Sequence, residues 1–355
     1  MDARWERLGD ILVNYSTSVK PKERIMIAMV EPETFPLAQA VYTAVIKAGG
    51  YPQVQFLSEN LRRSLLTYGD DDQISWIPEL ERWGMEWADV YFGLRGAHNL
   101  YELSDIPARR LAANQSAMGV VSSERWEKTR WCLVRVPTES LAQQAKTNYE
   151  DLEHMFFTSC FLDWEQDVKI WNKWATELEK GKQIRILSKD TNLSFSVDGR
   201  KWIPFAGKNN MPDGEIATAP ITSTIDGTIQ FKQPGVLGGR LIHDIKLHWN
   251  HGVLVEASSS TEQEFFQSII TKDSGASLIG EFAFGTNYAI DRFSNDILID
   301  EKIGGTIHIA LGRAYPECGG KNISSIHWDI IKDIRDEGCV LLDDNQIISK
   351  GHILL

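Results

Sequence analysis

Apolar and polar stretches alternate along the first half of the chain in a way that predicts buried strands separated by helices. Residues 24–30, 54–57, 88–94 and 130–136 form short apolar runs typical of strands. Residues 36–47 have helical spacing, begin with a proline and end before a Gly-Gly pair, which are common helix boundaries. This alternation predicts a parallel α/β sheet.

Beyond residue 149 the pattern changes. Residues 149–182 predict one long helical stretch, whose aromatic positions we assign to core packing. From residue 183 onward short apolar runs, punctuated by Gly, Asp, Asn and Pro, favour antiparallel strands, whereas 260–270 and 326–335 have a helical pattern. The predicted strands of this half are 184–187, 193–197, 227–231, 242–247 and 253–256.

These patterns predict an α/β protein of two domains. An N-terminal parallel-sheet α/β domain, residues 1–182, is followed by a mainly antiparallel α+β domain, residues 183–355. The length of 355 residues agrees with two domains, since it is too long for one ordinary core.

Composition and charge exclude several classes of protein. Hydrophobic residues make up 43% and charged residues 24%, a normal globular balance. The net charge is −12 and no basic run reaches five residues, which argues against nucleic-acid binding. The polar start and the lack of an 18-residue apolar stretch predict neither a signal peptide nor a membrane span. Four widely spread cysteines indicate reduced thiols in a cytoplasmic protein.

Five residues of the second domain have the chemistry of metal ligands. No glycine-rich nucleotide-binding motif follows any predicted strand, so a nucleotide site is unsupported. Each of the five lies on a short apolar stretch beside a turn: Glu215, Glu281, His308, His327 and Asp329. They exceed what one tetrahedral zinc needs and are about what a two-metal hydrolytic site needs.

Each candidate also has an ordinary structural interpretation. Glu215 could be a solvated turn residue, and Glu281 could face water at a sheet edge, although a buried carboxylate must be paired, protonated or metal-bound. His308, among apolar residues, could be a hydrogen-bonded core histidine. His327 and Asp329 point the same way if the segment is extended, but Asp329 could simply cap a helix. The conjunction of the five favours a metal centre.

Four neighbouring residues are further candidates. Tyr315 could donate a hydrogen bond to a developing oxyanion, or merely pack in its loop. Arg313 could bind a substrate carboxylate or neutralise a nearby acid. Glu301 is a candidate general base only because it precedes one of the predicted ligand strands. We interpret Cys318 as a packing residue rather than a reactive thiol.

Read in order, four segments resemble the thermophilic-type metallo-aminopeptidase family, of the aminopeptidase T and aminopeptidase S kind. The resemblance is strong over roughly residues 205–350, where order, spacing and local context all agree. The segments are 212–215 (PDGE) with 218–220 (TAP), 280–287 (GEFAFGTN), 300–312 (DEKIGGTIHIALG) and 325–335 (SIHWDIIKDIR).

The resemblance implies a function and its residues. The family's metal ligands would fall on Glu215, Glu281, His308, His327 and Asp329, and its catalytic tyrosine on Tyr315. It further implies two divalent metal ions (Zn, Co or Mn), a homodimer, and a small peptide or amide as substrate. The expected reaction is removal of N-terminal residues by a metal-activated water, with Glu281 as the bridging and catalytic carboxylate.

Two alternatives stay open at this point. Iron(II) ring-cleaving dioxygenases of the dihydroxypyridine type share the scaffold, although they have a histidine in place of Glu281 and no counterpart of His308. The third interpretation is a non-catalytic small-molecule-binding relative. Metal content and the type of turnover would distinguish the three.

Overall fold

The computed structural model describes residues 2–124 and 128–355. The α-helices are α1 (Ala3–Asp10), α2 (Phe35–Lys47), α3 (Glu59–Tyr68), α4 (Asp71–Ser75), α5 (Glu79–Trp87), α6 (Ala108–Ser123), α7 (Glu139–Gln144), α8 (Tyr149–Cys160), α9 (Trp164–Leu178), α10 (Gln263–Ile270) and α11 (Ile297–Asp300). A π-helical segment covers Ile11–Ser16, and 3-10 helices cover Pro32–Thr34, Thr222–Thr224 and Pro316–Cys318.

The strands divide between a parallel set and an antiparallel set. The first strands are β1 (Arg24–Val30), β2 (Tyr51–Leu57), β3 (Val90–Arg95), β4 (Arg130–Arg135), β5 (Gln183–Ser188), β6 (Thr191–Ser196), β7 (Ile203–Phe205), β8 (Asn210–Met211), β9 (Glu215–Thr218) and β10 (Asp226–Gln230). The remaining strands are β11 (Gly235–Leu237), β12 (Arg240–Ile242), β13 (Lys246–Asn250), β14 (Val253–Ser258), β15 (Ile279–Gly285), β16 (Thr306–Gly312), β17 (His327–Asp333), β18 (Cys339–Leu342), β19 (Asn345–Ser349) and β20 (His352–Ile353).

The first compact unit, Met1–Phe161 with Gly207–Pro212, is built on a parallel sheet. Its strand order is β2-β1-β3-β4-β8, with every described pair parallel. Ile27 of β1 and Phe92 of β3 are neighbours in register and fully buried. Central strands covered on both faces read as continuous apolar runs, which is why the sequence pattern identified them. The predicted N-terminal parallel α/β architecture is confirmed.

The second compact unit, Leu162–Ala206 with Asp213–Leu355, is antiparallel. One of its sheets has the order β14-β13-β10-β6-β5-β18-β19-β20, and another, which we call the ligand sheet, has the order β17-β16-β15-β9-β7. Phe195 of β6 meets Phe282 of β15 edge-on, with ring centroids 5.2 Å apart, so one face of the ligand sheet packs against the larger sheet. The predicted antiparallel α+β part is confirmed.

Three predicted elements differ from the structure. Residues 326–335, predicted as a helix, contain strand β17, because a short apolar run fits both periods and pairing with β16 decides between them. The single helix predicted for residues 149–182 divides into α8 and α9, and Asp163 caps α9 by accepting from the backbone N–H of Gln166. Residues 242–247 divide between β12 and β13 at Asp244, which has φ 52°.

The compact units do not follow one another simply along the chain. Gly207–Pro212 lies within the sequence of the second unit, yet it supplies β8 to the parallel sheet beside β4. Compact units are not the same as independently folding domains, so the boundary expected near residue 183 stays a prediction. Among the described helices, none has both the length and the apolar character needed to cross a membrane.

Candidate metal centre

The ligand sheet brings all five predicted ligands onto one face. Side chains of residues paired across antiparallel strands project from the same face, and residues two apart on one strand do likewise. The register pairs are Asp329–Ala310, Glu281–Ala310, His308–Ala283, Glu215–Gly285 and His327–Gly312. Residues scattered over more than one hundred positions of sequence therefore meet on a single surface.

The opposite face of the same strands fixes this orientation. Phe282 and Phe284 alternate with the ligand positions of β15 and contact Trp202, with ring centroids 6.0 and 5.8 Å away. Both phenylalanines are fully buried. A shift of one residue would exchange the aromatic side chains with Glu281 and Ala283, so burial of the aromatic face sets the register.

Small residues lie opposite each of the five predicted ligands. Ala310 separates Glu281 from Asp329, Ala283 lies opposite His308, and glycines lie opposite Glu215 and His327. Directly paired side chains have Cβ atoms only about 5 Å apart, so large partners would occupy the space where the ligand atoms converge. The alternation of small and chemically active residues therefore builds a cluster rather than a packed core.

Two groups of three candidate ligands form within this cluster. The first trio is Glu215, Glu301 and His308, and each residue offers a ligand atom within 4.8 Å of the others. Nε2 of His308 lies 3.4 Å from Oε2 of Glu215. All three are buried or nearly so. The trio includes Glu301, which the sequence suggested only as a general base.

The second trio is Glu281, His327 and Asp329. Nε2 of His327 lies 3.2 Å from Oε2 of Glu281 and 3.5 Å from Oδ1 of Asp329. The trios are neighbours, because the other oxygen of Glu281, Oε1, lies 3.8 Å from Nε2 of His308. Glu281 thus stands between the two groups.

Contacts outside the trios orient the second histidine. The Nδ1 atom of His327 is 2.8 Å from the backbone carbonyl oxygen of Arg313, an acceptor that requires Nδ1 to carry the proton. This assignment leaves Nε2 directed at Glu281 and Asp329. A ring nitrogen held by a backbone carbonyl while the other faces carboxylates is the usual arrangement of a metal-binding histidine.

Burial and charge shift the pKa values of these groups in opposite directions. Burial raises the pKa of Glu215 to about 8, against the opposing effect of Lys302. Burial also acts to raise the pKa of Glu281, but the two histidines outweigh it and lower the pKa to about 2. Burial acts to lower the pKa of His308, yet Glu281 and Glu215 raise it to about 9. Protons on histidine therefore balance the carboxylates when no ion is bound.

The donor set fits a divalent metal. Within the residues that the structure describes, Oε2 of Glu215 and Oδ1 of Asp329 are buried without a hydrogen-bond partner. Buried polar atoms without partners are uncommon in folded proteins and are expected where an ion or water completes the site. Carboxylates and imidazoles are ligands that Zn²⁺ and similar ions accept.

Lys302 is a residue of this cluster that the sequence did not single out. Its side chain is 1% exposed, and Nζ lies 2.5 Å from Oε1 of Glu215 and 2.7 Å from Oε1 of Glu301. Asp213 adds a third carboxylate, with Oδ1 3.5 Å away. The available signal was the acidic-basic triplet 300–302 ahead of a glycine turn, which says nothing about direction or burial.

Tyr315 lies beside the second trio. Its ring centroid is 5.0 Å from that of His327 and 6.3 Å from that of Phe205. Burial raises the pKa of Tyr315 well above its usual range, and the carboxylates of the cluster act in the same direction. The phenol therefore keeps its proton and can act as a hydrogen-bond donor at neutral pH.

The two other sequence candidates hold different positions. Arg313 is half-buried in the loop after β16, and its carbonyl oxygen supports His327. Cys318 is buried against Ala219 and Ala314, with Sγ 3.8 Å from the carbonyl oxygen of Ala217, and burial raises its pKa to about 12. A thiol with so high a pKa is a poor nucleophile.

Curated relatives carry aminopeptidase names. Aminopeptidase PepS of Streptococcus thermophilus is 20% identical over 379 residues, which cover 92% of this chain and 91% of the relative. Aminopeptidase T of Thermus thermophilus is 31% identical over 112 residues, which cover 30% of this chain and 27% of the relative. Aminopeptidase AmpS of Bacillus subtilis is 26% identical over 140 residues, covering 38% of this chain and 33% of the relative.

Two solved structures have a similar fold. Wild-type AmpT from Thermus thermophilus superposes with a TM-score of 0.86 at 20% identity, covering 99% of both chains. The 2,5-dihydroxypyridine dioxygenase from Pseudomonas putida KT2440 gives a TM-score of 0.60 at 14% identity, covering 100% of this chain and 98% of the other. At these identities the likenesses establish the fold.

Family membership follows from a match along nearly the whole sequence. The profile described as thermophilic metalloprotease (M29) matches residues 1–346, which include the first compact unit, most of the second and every residue of the two trios. The resemblance carried by the four segments of the second half is thus confirmed at the level of the family. The chain belongs to the thermophilic metalloprotease (M29) family.

Proposed function

We propose that the chain is a metal-dependent aminopeptidase, which removes N-terminal residues from small peptides. The observation that carries this proposal is the pair of adjacent ligand trios joined through Glu281. The aminopeptidase names of the relatives support the choice of reaction within the metalloprotease family.

The six ligands have separate tasks in this proposal. Glu215, Glu301 and His308 would hold one ion, and His327 and Asp329 the other, with Glu281 facing both. Bound divalent ions supply Lewis acidity and lower the pKa of a water ligand toward about 7. The backbone carbonyl of Arg313 keeps Nε2 of His327 free to bind.

Tyr315 would act on the developing oxyanion of the substrate amide. Its phenol is mostly buried beside His327 and stays protonated. A protonated phenol can donate a hydrogen bond to the oxyanion, whereas a phenolate would repel it. One such donor is typically worth about 2.7–4 kcal/mol in the transition state. Arg313 follows β16 in the same loop, and we propose it as a binding residue for a substrate carboxylate.

The cellular setting is also part of the proposal. We propose zinc, cobalt or manganese as the ion, two ions per chain, a homodimer, and a cytoplasmic location without nucleic-acid or membrane partners. The four free thiols agree with a reducing compartment. Light scattering of the metal-loaded protein would test the dimer, and elemental analysis after purification would test the ion.

The dioxygenase alternative is disfavoured by ligand chemistry. Mononuclear iron(II) oxygenases typically use two histidines and one carboxylate with open positions. Each trio here has one histidine and two carboxylates, and two trios are present. The likeness to the Pseudomonas dioxygenase, with a TM-score of 0.60, supports a common scaffold. Oxygen uptake with iron(II) and a dihydroxylated aromatic would reverse this choice.

A single assay tests the proposed reaction. Protein treated with a chelator is reloaded with Zn²⁺, Co²⁺ or Mn²⁺ and given leucine 4-nitroanilide, its N-acetyl derivative and a short peptide. We expect metal-dependent release of the N-terminal residue and no cleavage of the acetylated compound, because the free amine is required. Cleavage of the blocked substrate, or no hydrolysis with any ion, would refute the aminopeptidase. Tight ligand binding without turnover would instead identify a non-catalytic relative.

A further inference from the structure

Lys302 forms contacts that the proposed chemistry does not use. Its Nζ atom lies between Glu215 and Glu301, 2.5 and 2.7 Å from one oxygen of each. With 1% exposure the ammonium is removed from bulk water. The first trio must bind its ion through the same two carboxylates. A built-in cation and a divalent ion would therefore share ligands.

The second trio has no comparable cation. In the part of the chain that the structure describes, no lysine or arginine nitrogen lies within 4.0 Å of the carboxylates of Glu281 or Asp329. Their ionic partners are His308 and His327, which can lose their protons when an ion binds. The trios are thus matched in ligand type, one histidine with two carboxylates each, but differ by one lysine.

The lysine charge is held in place by its surroundings. Three carboxylates surround the ammonium of Lys302, because Oδ1 of Asp213 lies 3.5 Å from Nζ in addition to the closer oxygens of Glu215 and Glu301. The side chain of Lys302 is buried at 1% exposure and does not extend into water, as exposed lysines do.

We propose that the ammonium of Lys302 competes with the divalent ion for Glu215 and Glu301, so that the first trio holds its ion more weakly than the second. The existence of two ion sites rests on the proposed function. Like charges that share a pair of carboxylates repel, and burial strengthens this repulsion because the effective dielectric is low. The chain then retains one ion on dilution and gains full metal loading only when the free ion is abundant.

A purely orienting role for Lys302 predicts the opposite change in metal affinity. A residue that merely orients metal ligands through hydrogen bonds raises metal affinity, and its loss typically costs about 10–100-fold. If Lys302 only orients Glu215 and Glu301, its removal weakens the first trio. If it competes, removal strengthens the same trio. The sign of the change separates the two roles.

The test is a Co²⁺ titration of chelator-treated protein, followed by calorimetry and visible absorption. Wild-type protein should show two binding steps that differ by at least about tenfold. In Lys302→Met the weaker step should tighten by about tenfold or more, while the tighter step should stay within about twofold. Equal steps in wild-type protein, or a weaker step that loosens or stays unchanged in the variant, would overturn the proposal.

Lys332→Met is the matched control. Lys332 is also a buried lysine of the ligand sheet, and its Nζ lies 2.8 Å from Oδ1 of Asp190 and 2.7 Å from the carbonyl oxygen of Gln230. It contacts neither trio in these bonds, so both Co²⁺ steps should match the wild type. A change equal to that of Lys302→Met would mean that any buried lysine has the effect, and the proposal would fail.

Two further measurements keep the inference testable. If Lys302→Met does not fold, Asp329→Asn removes a ligand that belongs only to the second trio, and the affinity left should be that of the weaker wild-type step. Survival of the tighter step instead would contradict the proposal. The outcome is separable from the proposed function. If the protein binds two ions with different affinities but does not hydrolyse aminoacyl amides, the aminopeptidase proposal is wrong and the role of Lys302 stands. If it hydrolyses aminoacyl amides and binds two ions with equal affinity, the aminopeptidase proposal stands and the role of Lys302 is wrong.

Discussion

At the scale of single residues, Glu281 has the most unusual environment. It is 3% exposed, within a strand whose neighbouring residues Phe282 and Phe284 are fully buried. An ionised carboxylate in such a place needs compensation, which His308 and His327 supply from two sides. The same contacts place it between the two trios. Its charge is therefore the feature on which the proposed centre most depends.

Replacement of Glu281 by glutamine tests this dependence. Glu281→Gln keeps the shape but removes the charge, so we expect loss of most bound metal and of nearly all aminoacyl-amide hydrolysis. Elemental analysis after gel filtration measures the metal. Glu317→Gln, which changes an exposed glutamate after Tyr315, should retain both properties. Full metal content in Glu281→Gln would exclude the carboxylate as a ligand.

Tyr315 allows the catalytic and metal-binding roles to be separated. Tyr315→Phe removes one donor without a charge, so we expect full metal content and a fall in turnover of about 10²–10³-fold. Steady-state kinetics and elemental analysis on the same sample provide both values. Metal loss as severe as in Glu281→Gln would contradict the assigned role and indicate that the phenol supports the ligands instead.

At the scale of elements, the ligand sheet works through alternation and register. One face of β15 and β16 carries aromatic and aliphatic residues for the core, and the other carries ligands opposite Ala and Gly. Each strand contributes only one or two ligands. The site therefore depends on correct pairing of four strands more than on any local motif.

A substitution at Ala310 tests whether the predicted ligands need small residues opposite them in the sheet. It is fully buried and lies between Glu281 and Asp329 across the register. Ala310→Val adds two methyl groups to this space, so we expect folded protein with about 1–3 kcal/mol less stability and a weakened metal site. Thermal unfolding and metal titration measure the two effects.

Ile309→Phe is the control for added bulk in the same strand. Ile309 is fully buried, and consecutive residues of a strand project to opposite faces, so the larger ring strains the core side. This variant should lose stability but keep its metal. Equal metal affinities in Ala310→Val and wild-type protein would show that the space between Glu281 and Asp329 is not needed.

At the scale of the whole molecule, the titratable groups of the candidate metal centre couple stability to pH. In the metal-free protein the pKa of Glu215 is raised to about 8 and that of His308 to about 9. The native state therefore binds more protons than the unfolded state, between about pH 4.5 and 8 for Glu215 and about 6.5 and 9 for His308. The free energy of unfolding must fall as pH rises from 7 to 9.

Urea unfolding at pH 7, 8 and 9 in the presence of a chelator measures this slope. Metal-loaded protein should lose less stability over the same range, because ion binding favours deprotonated ligands and strengthens as pH rises. A flat profile for the metal-free protein would contradict the raised pKa values of the two groups.

The path of the chain is another property of the whole molecule. The short strand β8 pairs with β4 at Leu133 and Val134, although it comes after seven strands and nine helices of the described sequence. Only two residues form this strand, and no period can be read from two residues. The expected division at residue 182 rests on the length of one helical stretch and on Gly181 near its end, and the structure divides that stretch into α8 and α9 after Cys160.

Local sequence patterns were sufficient to predict several strands of each architecture and the residue types of the candidate centre. Strands buried on both faces are apolar throughout, so 24–30 and 130–136 were recognisable from composition alone. Glycine-framed apolar stretches marked Glu215, Glu281 and His308 as unusual positions. The residues 326–335 were ambiguous between helix and strand, because their apolar positions fit both periods.

Which of these groups meet depends on how the strands pair and pack. Strand pairing brings Glu215 and His308 within 3.4 Å across 93 positions of sequence, a contact that no local pattern encodes. The same packing directs the side chains of Glu301 and Lys302 towards the cluster. In the sequence, these two residues look like any exposed pair of charged residues. The direction and burial of a charge depend on the strands packed around it, and therefore arise only when the sheet closes.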